Sequence, residues 1–330
     1  MNVASLCSGI GGFELGIDRA ADALGIECSC VMAAEIEQHA KRIYEKNFGM
    51  RPCGDVRNIR QVPDHDLLVA GLPCQPFSQC GLQRGFDDKR GNLFFEIARI
   101  ARKKQPRFLL LENVPGMLGN ETGTTFRTIL ATLDQIGYDV QWNCINAFNF
   151  GLETNRERLF IIGHNRASGF DMPEILSHFE QAGNDVEIQS DQGSERPWIP
   201  CVTTRYGERY VGEVYVRQRR GQESIVRRLT PKEIERLQGF PEYWTKYGIE
   251  RDKRENMRAR TSYLTTYKKL LKVNEENRID LSTYGHIEQY VRDLPYPLVP
   301  IPDSARYKEL GNTVTPDVIE AVAKRLLNEI

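Results

Sequence analysis

The chain of 330 residues has no apolar run of the roughly 18–20 residues needed to cross a bilayer. Its N-terminus runs straight into a strand-like segment, so neither a signal peptide nor a membrane span is expected. There is no C-x₂-C pair: the 8 cysteines are scattered, the 5 histidines do not group with them, and Cys28 and Cys30 read as two residues of one strand. Bound zinc or another metal is therefore not expected, and the thiols should be reduced, as in a cytoplasmic, nucleoid-facing protein. No internal repeat is present. Net charge is also nearly absent, with 44 Lys and Arg against 45 Asp and Glu. That balance hides a division: residues 201–272 hold 18 of the cations and 9 of the acids, leaving 26 cations and 36 acids elsewhere. A basic segment in an otherwise acidic chain is the electrostatic footprint of phosphate contact. Tyr206, Tyr210, Tyr215, Tyr263 and Tyr267 are interleaved with these cations. Between Asp171 and Glu195 Lys and Arg are missing altogether, and polar 181–195 reads as a linker or surface loop.

What is present is an α/β pattern with reactive residues at its junctions. Asn2–Leu6 reads as a strand, followed by the turn Ser8-Gly9-Ile10-Gly11-Gly12 and a helix with Phe13, Ile17, Ala20, Ala21 and Leu24 on one face. Glycine lets a ligand approach the backbone, and the helix start presents free N–H groups. A second strand, Cys30-Val31-Met32-Ala33-Ala34-Glu35, ends in an acid about 20 residues further on, where a carboxylate reaches a ribose in a nucleotide-type site. A helix-like stretch, Gln38 to Phe48, leads to Asp55, which is read as ending the next unit in the same way. Asp66–Ala70 then runs into Gly71-Leu72-Pro73-Cys74-Gln75-Pro76-Phe77-Ser78, a thiol in a loop stiffened by proline on both sides. Phe108–Leu111 ends in Glu112-Asn113, punctuated by Val114-Pro115-Gly116. Successive βα units thus deliver a thiol and a carboxyl to one edge of a parallel sheet, where open α/β sheets bind ligands. Such a pair suits covalent catalysis. Taken singly, Cys74 reads equally as an inert buried thiol, Glu112 as a helix cap or solvated strand end, and Arg156 and Arg158 as an edge-strand salt bridge.

In this order the motifs make the chain resemble a DNA (cytosine-5) methyltransferase. They are Leu6-Cys7-Ser8-Gly9-Ile10-Gly11-Gly12-Phe13, the acids Glu35 and Asp55, Pro73-Cys74-Gln75, Glu112-Asn113-Val114 and Arg156-Glu157-Arg158. Further on come Arg228-Leu229-Thr230-Pro231-Lys232-Glu233, Arg236-Leu237-Gln238-Gly239-Phe240-Pro241 and Tyr307-Lys308-Glu309-Leu310-Gly311-Asn312-Thr313-Val314. The resemblance implies a Rossmann-like methyltransferase sheet with a second, smaller target-recognition domain, and S-adenosylmethionine as cofactor. Ser8, Gly9, Gly11, Gly12, Phe13, Ile36, Val56 and Pro73 would border it. Glu35 would hold its ribose and Asp55 its adenine amino group, with Asn312 and Val314 closing the far side. Cys74 would add to carbon 6 of cytosine, which makes carbon 5 nucleophilic enough to accept a methyl group. Glu112 would hydrogen-bond ring nitrogen 3, Arg158 would contact the ring oxygen with Arg156 beside it, and Asn113 would orient the loop. The base must leave the duplex, at a cost of a few kcal/mol. Residues 78–90 form a polar, glycine-rich stretch suited to close over it. Cys7 stands where many family members carry Phe, and Cys80 where a small hydroxyl is common.

Residues 1–165, completed by 304–330, are expected to form the catalytic domain, and 166–303 the small one. In the family the recognition domain usually lies between the residues matching Arg158 and Arg228, and that stretch is short here. The usually brief gap between Pro241 and Tyr307 instead spans some 65 residues. It carries Arg251, Lys253, Arg254, Arg258, Arg260, Lys268, Lys269 and Lys272, with Met257, Leu264, Tyr267 and Leu271 at helical spacing on the opposite face. DNA contacts are expected from Ser78, Cys80, Arg84, Arg90, Arg205, Arg217, Arg219, Arg220, Arg254, Arg258 and Arg260, on a surface shared between 203–220 and an insertion, 246–303. The implied partner is double-stranded DNA, bound by a monomer, either paired with a restriction endonuclease or solitary. Two alternatives keep the same sheet: a transfer-RNA cytosine-5 methyltransferase, and a silent nucleic-acid-binding homologue, against which intact Cys74, Glu112 and Arg158 argue. A dinucleotide oxidoreductase would need a third spaced glycine that the first turn lacks.

Overall fold

The computed structural model describes residues 1–72, 93–119, 123–169, 174–176, 199–204, 206, 215–220, 223–249 and 298–329. In chain order the elements are β1 (Asn2–Leu6), α1 (Gly12–Leu24), β2 (Ser29–Ala34), α2 (Gln38–Phe48), β3 (Leu67–Gly71), α3 (Leu93–Lys104) and β4 (Phe108–Asn113). Next come α4 (Thr124–Gln135), β5 (Tyr138–Asn146), β6 (Thr154–Asn155), β7 (Glu157–Asn165), β8 (Ile199–Pro200), β9 (Tyr215–Arg220) and β10 (Glu223–Arg228). The chain closes with α5 (Pro231–Leu237), β11 (Tyr247–Ile249), β12 (Leu298–Pro300), α6 (Asp303–Gly311) and α7 (Pro316–Leu327).

Six strands form one sheet in the order β2-β1-β3-β4-β7-β5. β2, β1, β3 and β4 pair in parallel, whereas β7 runs antiparallel to both β4 and β5. The two units that end in Leu72 and Glu112 thus pair in parallel, as expected, within a sheet that is mixed as a whole. No helix crosses over between β5 and β7, so the short connection through residues 147–156 can only bring the chain back in the opposite sense. The expected strand ending at Asp55 is also absent. Cys53 makes a single bridge to Ala34, and Asp55 caps a short 3₁₀ turn at Val56–Asn58 by accepting from the Arg57 amide.

The sheet is covered on both faces, which is why β3 and β4 read as continuous apolar runs rather than alternating ones. Leu109 and Leu111 pack with Phe94, Ile97 and Ile100 of α3 and Ile129 and Leu133 of α4. Phe108 and Leu110 face the other way, into a core with Phe13 and Ile17 of α1 and Val318, Ile319 and Val322 of α7. Gly16 permits that close helix pair: a β-carbon there would stand 2.5 Å from the Pro316 carbonyl oxygen and 2.6 Å from Cβ of Ile319. Ile175 and Leu176 join the same core.

A third core lies over the other side of the first turn. Ile10, Ala40 and Ile43 meet Val202, Tyr206, Leu229, Ile234, Phe240, Ile301 and Leu310 there. The motif Thr230-Pro231-Lys232-Glu233 starts α5 as a capping box, with Thr230 Oγ1 accepting from the Glu233 amide and the Glu233 carboxylate accepting from the Thr230 amide. β9 and β10 form an antiparallel hairpin, and β11 pairs antiparallel with β12. The two ends of the insertion 246–303 are therefore tied together; the residues between its two strands, and the linker 181–195, lie outside the described residues. No helix among the described residues is long and apolar enough to cross a membrane.

Candidate active site

The first turn is bent by three left-handed residues, Cys7 at φ 54°, Gly9 at φ 56° and Gly11 at φ 88°. The Ser8 amide donates to the Ala34 carbonyl at 3.0 Å and the Gly9 amide to Glu35 Oε2 at 2.8 Å. Glu35 Oε1 accepts from the amides of Ile36 and Glu37 at 2.7 and 2.9 Å, so this carboxylate is fixed on both oxygens. The glycines divide the labour. Among the described residues a β-carbon at Gly9 would meet nothing within 4 Å, whereas one at Gly11 would collide with the Phe48 ring and one at Gly12 would stand 2.6 Å from the Val314 carbonyl oxygen. Gly9 thus opens the backbone to a ligand, while Gly11 and Gly12 let neighbouring chain close on the turn.

Around this turn Ile36 is 59% exposed, an apolar side chain standing in solvent beside Glu35. Phe13 and Val56 are core residues, at 2% and 3% exposure. Ser8 is buried and its hydroxyl has no hydrogen-bond partner among the described residues. Asp55 holds Arg57 through Nε and Nη2 at 2.6 to 3.0 Å, and that guanidinium holds its carboxyl below the usual range. Burial pushes the Cys7 thiol up to about 12, with the Glu35 and Asp55 carboxylates adding to it, which locates both acids around one thiol. Asn312 is exposed at the end of α6, and Val314 is buried against Gly12.

The ends of β3 and β4 adjoin this turn. The Leu72 amide donates to the Glu112 carbonyl at 2.9 Å, and a β-carbon on Gly71 would lie 3.8 Å from both Glu112 Oε2 and the Cys7 carbonyl oxygen. Glu112 pairs with Arg158, Nε to Oε1 at 3.1 Å. Burial raises the Glu112 carboxyl above its ordinary pKa, opposed by Arg158 and then Arg156. Arg158, expected at the end of a third strand, is instead the second residue of β7. Because β7 is reversed, its beginning lies beside the end of β4, with Asn113 opposite Leu159 and Glu112 opposite Phe160. Asn113, 1% exposed, accepts from the Val114 amide at 2.7 Å.

Arg156 departs from its neighbour. It is 2% exposed, and its guanidinium donates to the carbonyls of Gly311, Thr313 and Val202. It therefore ties β7 to the turn that carries Asn312 and Val314. Between the two arginines stands Cys201, its sulfur 3.3 Å from Arg156 Nη1 and 3.8 Å from Arg158 Nη2, a neighbour that nothing in its sequence context marks. Trp244 is a second residue the motifs did not single out: its indole N–H donates to the Ile10 carbonyl at 2.9 Å. Pro73, Cys74, Ser78, Cys80, Arg84, Arg90, Arg205, Arg254, Arg258 and Arg260 lie outside the described residues, while Arg217, Arg219 and Arg220 belong to β9.

Comparison with known proteins bears on this geometry. A profile of the family described as C-5 cytosine-specific DNA methylase matches residues 1–194. The type II methyltransferase M.NgoBI of Neisseria gonorrhoeae is 38% identical over 72% of this chain and 81% of its own length. M1.ScrFI of Lactococcus lactis subsp. cremoris, also a type II methyltransferase, is 32% identical over 98% of this chain and 77% of its own length. Among solved structures, the S. pombe Dnmt2 methyltransferase shares the fold with a TM-score of 0.64 at 19% identity, covering 100% of this chain and 99% of its own. The carboxyl–arginine pair at the meeting of β4 and β7, set beside a glycine turn anchored on Glu35, therefore belongs to a member of the C-5 cytosine-specific DNA methylase family, a DNA (cytosine-5) methyltransferase.

Proposed function

We propose that the chain methylates carbon 5 of a cytosine turned out of a specific duplex site, with S-adenosylmethionine as cofactor and Cys74 as nucleophile. S-adenosylmethionine, when bound, supplies the methyl group from a sulfonium centre. The donor set fits a nucleoside-bearing cofactor. Gly9 faces open space among the described residues, and Glu35 is fixed yet keeps a lone pair on Oε2 for a ribose hydroxyl. Asp55 is an ionised acceptor for an adenine amino group, and exposed Ile36 offers an apolar face. Asn312 and Val314 would close the opposite side, on the turn that Arg156 holds.

The observation that carries the reading is the Glu112–Arg158 pair at 3.1 Å, a buried carboxyl that keeps its proton more firmly than usual beside a guanidinium. A carboxyl of that kind can share a proton with ring nitrogen 3, and the guanidinium can orient the ring oxygen. Cys74 follows two residues after Leu72, whose amide is bonded to Glu112, so the thiol is carried on the chain that leaves this pair. As a thiolate, its sulfur would bond to carbon 6 as Glu112 gives a proton to nitrogen 3. After methylation a base takes the carbon 5 proton, the thiolate leaves carbon 6, and the nitrogen 3 proton returns to Glu112, which restores the aromatic base. The type II relatives support pairing with a restriction endonuclease. A monomer on duplex DNA, with Ser78, Cys80, Arg84 and Arg90 near the base and the basic segment along the phosphates, completes the proposal.

The test is trapping. Fluorine at carbon 5 blocks the final proton loss, so duplex containing 5-fluorocytosine and the intact protein should form a denaturant-stable adduct when S-adenosylmethionine is present. Cys74→Ser should form none. An adduct that persists in Cys74→Ser would assign the nucleophile to another thiol, such as Cys80. Bisulfite sequencing of DNA from expressing cells would then read the recognition site.

A further inference from the structure

A side chain from the second half of the chain hydrogen-bonds the backbone of the cofactor turn. Trp244 donates its indole N–H to the Ile10 carbonyl at 2.9 Å, across 234 residues of sequence, and Ile10 lies between the two left-handed glycines of that turn. The indole is held from several sides. Phe48 meets it edge-on at 5.6 Å and Phe240 lies at 5.7 Å, while Asn47 Nδ2 donates to the Trp244 carbonyl at 3.2 Å. Phe48 is also the ring that crowds Gly11, so the same aromatic pair supports the turn at two adjacent residues.

The backbone at Trp244 is fixed as firmly. Glu235, fully buried on α5, accepts from the amides of Tyr243 at 2.7 Å and Thr245 at 2.9 Å, the residues on either side of Trp244. Thr245 Oγ1 donates to the same carboxylate and accepts from Arg306 Nε at 3.0 Å, while Arg306 Nη2 donates to Glu235 Oε1 at 3.2 Å. This anchorage holds Tyr243 at φ 64°, a left-handed conformation costly for an aromatic residue. The buried ion pair thus fixes the backbone on both sides of the residue that carries the indole. Arg306 lies on α6, which leads into Asn312 and Val314, so one network reaches both walls of the proposed cofactor site.

We propose that Trp244 is a positioning residue for the cofactor: its N–H holds the Ile10 peptide in the orientation that lets the Gly9 backbone receive S-adenosylmethionine. The inference rests on the cofactor reading given above. Without that bond the turn spends part of its time in other arrangements, and apparent affinity falls by the fraction lost. One net hydrogen bond corresponds to a roughly five- to tenfold change.

Trp244→Phe keeps a ring against Phe48 and Phe240 and removes only the donor. Calorimetric titration with S-adenosylmethionine, in the absence of DNA, should show a dissociation constant raised roughly five- to tenfold. Turnover at saturating cofactor, duplex affinity and melting temperature should stay close to wild type, so the effect falls on KM for the cofactor and not on kcat. A dissociation constant within twofold of wild type overturns the proposal, as does an equal fall in kcat at saturation. If Trp244→Phe does not fold, site-specific replacement by 3-benzothienylalanine, which exchanges the N–H for sulfur at nearly constant shape, carries the same two outcomes. Failure of the wild-type protein to bind S-adenosylmethionine at all would instead sink the cofactor reading, which separates the two.

Discussion

Glu112 sits where two opposing effects act on one carboxyl. Burial raises its pKa, the guanidinium groups of Arg158 and Arg156 lower it, and burial wins. In the proposed role, a proton held in that way is available to a ring nitrogen at the moment negative charge builds there, an interaction that strengthens in the transition state. Glu112→Gln keeps the size and a hydrogen-bond donor but has no acidic proton to share. Turnover should fall on the order of 10²–10³, while cofactor affinity measured by titration stays near wild type. A parallel fall in cofactor affinity would show that Glu112 instead supports the fold of the site. At this scale the residue types and their order along the chain were legible, because the acid, the amide and the arginines lie directly at strand ends. The role of Arg156 was not. Its hydrogen-bond partners, at Val202, Gly311 and Thr313, lie between 46 and 157 residues away, and nothing local distinguishes a buried arginine on carbonyl groups from a solvated one.

Helices and strands were legible where both faces are buried and the period is clear: α1, α2, β1 and β4 fall within a residue or two of their expected limits. Strand direction was not, because alternation and apolar runs carry no sign. The reversed β7 is the consequence, and it brings Arg158 to Glu112 from the start of a strand rather than from its end. A polar residue on a buried helix face has a consequence that can be measured. Glu14 of α1 is 2% exposed and accepts from the Tyr44 hydroxyl at 2.9 Å, and burial pushes its carboxyl up from 4.5 to about 7. A folded-state pKa above the unfolded one means that the folded protein binds this proton more tightly. The resulting stability is fully present below pH 4.5 and is lost as pH rises through 7. In denaturant titrations, wild type should therefore lose on the order of 3 kcal/mol relative to Glu14→Gln between those limits. Glu309, also raised to about 7, mainly by burial, contributes separately and remains in both proteins. Identical pH slopes for the two proteins would mean that Glu14 ionises freely in the fold.

Over the whole molecule, charge is segregated along the chain. The sheet and its helices are nearly neutral, and the acidic excess lies in 166–200 and 273–303. The basic excess falls within 201–272, beginning where the chain leaves Cys201 beside Arg156 and Arg158. β9 and β10 bring five of those arginines, Arg217, Arg219, Arg220, Arg227 and Arg228, onto one two-stranded ribbon. β11 and β12 then close the neck of the insertion, so its cations are carried on a tethered segment rather than on a tail. A basic segment beside a nearly neutral sheet suits the proposed duplex, held along its phosphates while one base is drawn toward Glu112. Phosphate contacts release counterions, so each one adds about 0.9 to the slope of log affinity against log salt. If Arg254, Arg258 and Arg260 touch phosphates, replacing all three with Gln should weaken binding of specific and unrelated duplexes alike and flatten that slope by roughly 2–3. Fluorescence anisotropy across a salt series would measure both. Cytosine methylation should still occur at the same site, because contacts of this kind position the duplex without reading its bases. An unaltered salt slope with unaltered affinity would reduce the insertion to a solvated arm and leave phosphate contact to the β9–β10 ribbon.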